Sequence, residues 1–443
     1  MYFALALVSC QAMTEIFEIA PRNVLRRAIA VGILLDSRKR LELDEHLAEL
    51  RLLADTAGFE VVATVVQERK ALDPATMIGR GKVDEIAAMA SDLEIDTILF
   101  DDELSPAQGR NLEEVISKPV TDRTGIILEI FADHARTREA KTQVELARLQ
   151  YLYPRLTNLW SHFTRQRGGV NMKGEGETQL EIDRRMTKTR IAELRRELEE
   201  IRRQAETRRK GREAVYKISL VGYTNAGKST LMNALTKAGV LVEDRLFATL
   251  DATMRSLVLP SGEEVLLADT VGFIRKLPPS LVASFRSTLD EINDANLILH
   301  VVDAAHPDFL EQIIATRQVL VDLGASDKPT LMVFNQCDRC DEPAMRQRLR
   351  ELEPLSVLIS ARTGEGLDLL LAEIQRQYEA DRFVVELKLS PLQHKAIALL
   401  HQRARILSVS YDEEGNTLLR VLITPKDLGQ IQAEAGHPVV PVG

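Results

Sequence analysis

The stretch KISLVGYTNAGKSTLMNAL, Lys217 to Leu235, constrains the fold more than any other part of the 443-residue chain. Lys217 to Val221 reads as an apolar strand, Gly222 to Lys228 as a loop, and Ser229 opens a helix. The pattern is G-x-x-x-x-G-K-S between a strand and a helix, the context in which glycines let backbone N–H groups turn toward phosphate oxygens. Lys228 supplies a point charge for the β and γ oxygens, and the Ser229 hydroxyl can take Mg²⁺. Gly222, Tyr223, Thr224, Asn225, Ala226, Gly227 and Thr230 complete the expected contacts to the same nucleotide.

Further elements follow in order. EVLLADTVG is a strand ending at Asp269, placed to hold Mg²⁺ through water, with the Gly272 N–H available to a γ-phosphate. ANLILHVVDAA and KPTLMVFNQCD read as buried strands, the second running into Asn335-Gln336-Cys337-Asp338, and Ser360-Ala361-Arg362 follows the next apolar run. Strands alternating with amphipathic helices specify a doubly wound, mostly parallel sheet whose ligand sits at the strand C-terminal ends. Between the loop and Asp269 lies EDRLFATLDATMR, holding Phe247 and a threonine that would close on Mg²⁺ when the γ-phosphate is present. Thr249 is the choice for that role and Thr253 its competitor.

This order of motifs resembles translation-factor-like GTPases. In that group Asn-Lys-x-Asp reads the base, the carboxylate accepting from guanine N1–H and N2–H₂. Asp338 and Asn335 match, and Gln336 stands in place of the lysine, which implies weaker affinity and a less strict preference for GTP. Phe273 follows Asp-x-x-Gly where many GTPases place a glutamine that orients water. The resemblance therefore implies slow intrinsic hydrolysis and a water placed by other groups, and Phe273 packing beneath the switch is compatible with both. Asn225 matches the asparagine by which potassium-stimulated GTPases coordinate K⁺. The expected catalytic set is Lys228, Thr249, Gly272 and Asn225, and the expected Mg²⁺ ligands are Ser229, Thr249 and Asp269.

The flanks carry a closer resemblance. MIGRGKVDEIAA, DDELSPAQGRNLEE, DRTGIILEIFADHARTREAKTQVELARLQYLYPRL and GEGETQLEIDRR are similar to segments of the HflX family of ribosome-associated GTPases, over roughly 27–380 of the chain. The resemblance implies GTP and GDP as bound nucleotides, the large ribosomal subunit and its rRNA as partner, and a part in splitting stalled or inactive ribosomes. Two other readings remain open: an ATP-using RNA-remodelling enzyme, suggested by Gln336, and a nucleotide-sensing assembly factor with negligible hydrolysis, suggested by Phe273.

Composition bounds the rest. A chain this long with 28% charged residues is globular and carries about three domains. The expected division is an extension over 1–26, a small α/β domain over 27–135, a helical hairpin over 136–212, the P-loop GTPase domain over 213–381 and a small α/β tail over 382–443. The net charge of −9 argues against a chain wholly committed to nucleic acid, yet the hairpin segment is locally basic, which suits RNA phosphate. Ile182, Met186, Leu194, Leu198 and Ile201 form its expected apolar seam, with Trp160 and Phe163 near its loop. Three cysteines fit a reducing cytoplasm, and one lone C-x-x-C, Cys337 and Cys340, argues against zinc. Oxidation of that pair would distort the base-reading loop. No membrane span and a monomeric free state are expected.

Overall fold

The computed structural model describes residues 25–36, 39–156, 173–210, 215–236, 246–247, 253–276, 291–340, 343–380, 382–390 and 392–435. Thr249, Trp160, Phe163 and most of the N-terminal extension lie outside them. The chain divides into two compact units, Met1–Asp133 with Val144–Ala192, and His134–Gln143 with Glu193–Gly443.

The first unit is built on four parallel strands in the order β2-β1-β3-β4: β1 Arg26–Leu34, β2 Phe59–Glu68, β3 Thr97–Phe100 and β4 Val120–Asp122. Helix α1 (Arg40–Thr56) buries Leu43, Leu47, Leu50 and Leu53, a helical period that gives it one apolar stripe. Helices α2 (Arg80–Asp92) and α3 (Pro106–Ile116) send Val83, Ile86, Leu112 and Ile116 into a core with Ile29, Val31, Ile98 and Phe100. Helix α3 starts where it does because Ser105 and Gln108 form a reciprocal capping box ahead of Pro106. The short strand β4 had no separate signal, since its three residues lead straight into α4 (Arg123–His134).

Two long helices follow, α5 (Arg138–Leu152) and α6 (Lys173–Lys210). The sequence expects a glycine-containing loop up to about Glu177, whereas α6 already begins at Lys173. Leu194 and Leu198 of the expected seam are buried, and Ile182, Met186 and Ile201 are half-buried. Asp183 and Thr187 are buried in it too, a polar pair that the apolar period hid.

The second unit holds the sheet β10-β9-β8-β5-β7-β6, made by β5 Lys217–Gly222, β6 Thr253–Val258, β7 Glu264–Asp269, β8 Leu297–Asp303, β9 Thr330–Asn335 and β10 Val357–Leu358. All neighbours are parallel except β6, which pairs antiparallel with β7 at the edge. Helices α7 (Lys228–Thr236) and α10 (Leu367–Ala380) bring Leu231, Met232, Leu370 and Ile374 into one apolar cluster with Leu297, Leu299 and Val301 of β8. The alternate residues Ile298 and Val302 face the layer of α8 (Phe309–Asp322) and α9 (Pro343–Leu352). Burial on both faces explains why β8 reads as a continuous apolar run. Among the described residues no helix is long and apolar enough to cross a membrane.

After α10 the chain makes an antiparallel sheet β11-β13-β12, from β11 Phe383–Leu389, β12 Arg405–Tyr411 and β13 Thr417–Ile423, backed by α11 (His394–Arg403) and α12 (Pro425–Ala435). The sequence DEEGN, Asp412 to Asn416, is a hairpin signal, and the turn forms there with Asp412 N–H donating to the Asn416 carbonyl at 3.1 Å. Replacing Leu299, fully buried, by alanine should destabilise the second unit by about 2–5 kcal/mol, and the same change at exposed Leu369 by under about 0.5 kcal/mol. Urea unfolding followed by circular dichroism reads both, and equal midpoint shifts would contradict this layering.

Candidate nucleotide site

The site residues gather at the C-terminal ends of β5, β7 and β9 and in the loop after β10, where a doubly wound sheet opens a crevice. Gly222 ends β5 and Lys228 begins α7. Lys228 is buried, its Nζ donating to the carbonyls of Gly222 at 3.1 Å and Tyr223 at 2.8 Å. Burial pushes its ammonium down from the usual 10.5 to about 8, against the pull of nearby Asp269. Gly227 has φ +87°, and a Cβ there would lie 2.3 Å from Asn335 Nδ2, so this position needs glycine for both reasons. Asn225, exposed, sits in the left-handed region at φ 61°. Thr224 is buried, and Thr230 is half-buried on the first turn of α7.

Ser229 Oγ donates to Asp269 Oδ2 at 2.6 Å, with Asp269 buried as the last residue of β7. A hydroxyl and a carboxylate oxygen side by side form a donor set that suits a small hard cation such as Mg²⁺. Thr253, the competitor for the switch threonine, is the first residue of β6 and lies opposite Asp269 in the antiparallel register. It is therefore a ladder residue. Phe247 is buried with φ 57°, and its carbonyl meets His134 Nδ1 at 2.8 Å.

Beyond Asp269 the backbone returns to the phosphate loop. Phe273 N–H donates to the Gly222 carbonyl at 3.1 Å and Thr224 N–H to the Phe273 carbonyl at 2.7 Å. A Cβ on Gly272 would lie 2.9 Å from Thr224 Cα and 3.0 Å from Lys228 Nζ, so the chain passes this close only as glycine. The Phe273 ring points away from this crossing. It is 2% exposed and packs with Val221, Ile292, Ile298, Leu320 and Leu323. Arg275, two residues on, donates its N–H to Tyr223 Oη at 2.7 Å and pairs with Glu311 of α8 at 2.7 Å.

The base-reading residues meet the loop from the other side. Asn335 Nδ2 donates to the Ala226 carbonyl at 2.9 Å, and its Oδ1 accepts from Ala361 N–H at 2.9 Å. Gln336, at φ 63°, donates from Nε2 to the Asn225 carbonyl at 3.4 Å and accepts from Arg339 at 2.6 Å. Asp338 pairs with exposed Arg362. Hydrogen bonding from buried Ser360, then Arg362, holds its carboxyl below the usual range. Burial pushes the Cys337 thiol up to about 11 and raises Cys340, so neither carries much thiolate at neutral pH.

All the described candidates except Phe247 thus fall into one of three touching groups around a single crevice. Sequence reasoning gave Asn335 a part in the loop geometry without its two partners, which are backbone groups, and it missed the Phe273 clamp, which is made of backbone groups that any residue type carries.

The fold and this loop constellation define a P-loop GTPase. Residues 217–336 match the family described as "50S ribosome-binding GTPase", residues 44–132 the "GTP-binding GTPase N-terminal" family and residues 134–212 the "GTP-binding GTPase Middle Region". The GTPase HflX of Magnetococcus marinus is 42% identical over 97% of this chain and 99% of its own. That of Escherichia coli is 42% identical over 89% and 93%. A GTP-binding protein of Sulfolobus solfataricus, solved with GDP, aligns over 79% of this chain and 98% of its own at 26% identity and TM-score 0.43. This chain belongs to the HflX family of GTPases, and it is a GTP hydrolase.

Lys228 gives a pH prediction. Phosphate contact would lift its pKa again, so nucleotide binding takes up protons once the free lysine has begun to lose its own, above about 8. GDP affinity should be flat with respect to this group below that pH and fall as the pH rises through it. Calorimetry at pH about 7 and about 9 in buffers of different ionisation enthalpy should show proton uptake near zero and then approaching one per site. Equal uptake at both would overturn the assignment.

Proposed function

We propose that this chain is a ribosome-associated GTPase, acting in the cytoplasm as a monomer on the large subunit and its rRNA, where GTP hydrolysis serves the splitting or rescue of stalled and inactive ribosomes. The observation that carries the reading is the match of residues 217–336 to a family described as ribosome-binding GTPases, on a site joined by Asn335 from phosphate loop to base loop. The basic stretch 136–212, where Lys and Arg exceed Asp and Glu, supplies charge for RNA phosphate.

In this mechanism Lys228 leaves the Gly222 and Tyr223 carbonyls and pairs with the β and γ oxygens. Ser229, Asp269 and Thr249 would hold Mg²⁺. Bound there, Mg²⁺ neutralises charge on the phosphate oxygens. Gly272 N–H meets the γ-phosphate. Asp338 exchanges Arg362 for guanine N1–H and N2–H₂, contacts that adenine cannot offer. Asn225 would hold K⁺, whose charge would offset that of the transition state. Water attacks in line and leaves GDP and phosphate.

Asp338→Ala should lower GTP affinity about 100-fold, since two hydrogen bonds to a carboxylate are lost, and leave ATP affinity unchanged. The deciding assay is phosphate release from GTP and ATP in K⁺ and in Na⁺ buffer, with and without purified large subunits. The reading expects subunit stimulation confined to GTP and stronger in K⁺. Preference for ATP would overturn the role of Asp338, and no release even with subunits would leave a nucleotide-sensing factor.

A further inference from the structure

Strand β8 carries one residue that its packing does not explain. In LILHVVD the other core positions are aliphatic, yet His300 is 1% exposed, and among the described residues neither of its ring nitrogens has a hydrogen-bond partner. A leucine would fill the same layer without stranding two polar atoms. Burial, with the charges of Arg317 and Lys228, pushes its pKa down to about 3, so the ring is neutral and offers one N–H and one lone pair.

His300 does not lie in solid core. It lines a cavity of about 400 Å³ between β8, β9, the end of α8 and the segment after α9, and no phosphate-loop or base-reading residue lines it. Leu320, Ala325 and Met332 give the cavity apolar walls. Arg317 and Lys328 line it as well. Arg317 pairs with Glu353 in a partly exposed ion pair, the kind that solvent screening leaves weak and that a ligand anion can replace. Lys328 Nζ donates to the Ala295 carbonyl at 2.7 Å and keeps two further N–H groups.

We propose that this cavity binds a small hydroxyaryl carboxylate, its hydroxyl on His300, its ring between Leu320 and Met332 and its carboxylate on Arg317 and Lys328. The volume lies in the range of small-molecule sites, and the lining sets Leu320, Val321, Ala325 and Met332 beside polar groups that can fix orientation, Ser326, Thr330 and Glu353 as well as His300 and the two cations. A neutral hydrogen-bonding group and two cations across an apolar wall match a ligand with a neutral polar end, an apolar spacer and an anionic end. The proposal is independent of the nucleotide reading, because it concerns other residues and needs no nucleotide.

The test uses 4-hydroxybenzoate as probe on the full chain, with calorimetry for affinity and ¹⁵N-labelled histidine for the His300 ring. Saturable binding with a shift of the His300 nitrogens is expected. Arg317→Gln, on the surface, should weaken it about tenfold, and His300→Leu, which suits an apolar strand, should do likewise. Benzoate should bind the wild type about tenfold more weakly than 4-hydroxybenzoate, and the two should bind His300→Leu equally, which isolates the hydroxyl contact. Absence of saturable binding at millimolar probe would overturn the proposal and leave a water-filled cavity. Binding unchanged by both substitutions would overturn it too, by placing the probe elsewhere.

Discussion

The side-chain amide of Asn335 is the interaction on which the rest of the site depends. One side chain satisfies a carbonyl of the phosphate loop and an N–H of the loop after β10, at 2.9 Å each. Both bonds are buried, so breaking either strands a polar group away from water. Asparagine suits the position because its amide donates and accepts at one end of a short side chain. Aspartate would lose the donor, and glutamine would set the amide one methylene further out. Gly227 completes the constraint, since any side chain there would collide with this amide. The spacing between phosphate loop and base loop is therefore set by a contact that itself touches no ligand in the proposed mechanism.

Each charged group assigned to ligand has a protein partner: Lys228 has two carbonyls, Asp269 has Ser229, and Asp338 has Ser360 and Arg362. Buried polar groups need hydrogen-bond partners, and these pairs supply several, while the buried Thr224 hydroxyl has none among the described residues. A nucleotide bound here would have to replace these bonds, so its affinity would be the difference between two sets of bonds. Gln336 fits this picture. Without the lysine charge, its amide holds the Asn225 carbonyl and the Arg339 guanidinium.

Much of this was legible in the chain. The phosphate loop announced itself because its chemistry demands particular residue types in sequence, and β5, β8 and β9 because burial on both faces leaves an unbroken apolar run. The hairpin at Asp412 was legible through its turn residues. The strands β4 and β6 were not, the one for its brevity and the other because an edge strand half in water lacks that apolar run. Nor did a seam counted from apolar residues reveal Asp183 and Thr187, since helical periodicity says which face is buried and not which polar groups can be satisfied there.

Phe273 shows why the unreadable part matters for chemistry. The one-dimensional pattern puts it where other GTPases orient water, and the fold turns its ring into the layer under α8. Its backbone does the local work, crossing to Gly222 and Thr224 and bringing Gly272 against Lys228. A ring anchored in packed apolar core fixes that crossing more firmly than an exposed side chain could, because moving it would open a void. The same anchoring removes the side chain from the reaction. The group that orients the attacking water is therefore to be sought outside this side chain, and Asn225, exposed in the phosphate loop, is one that the structure leaves accessible.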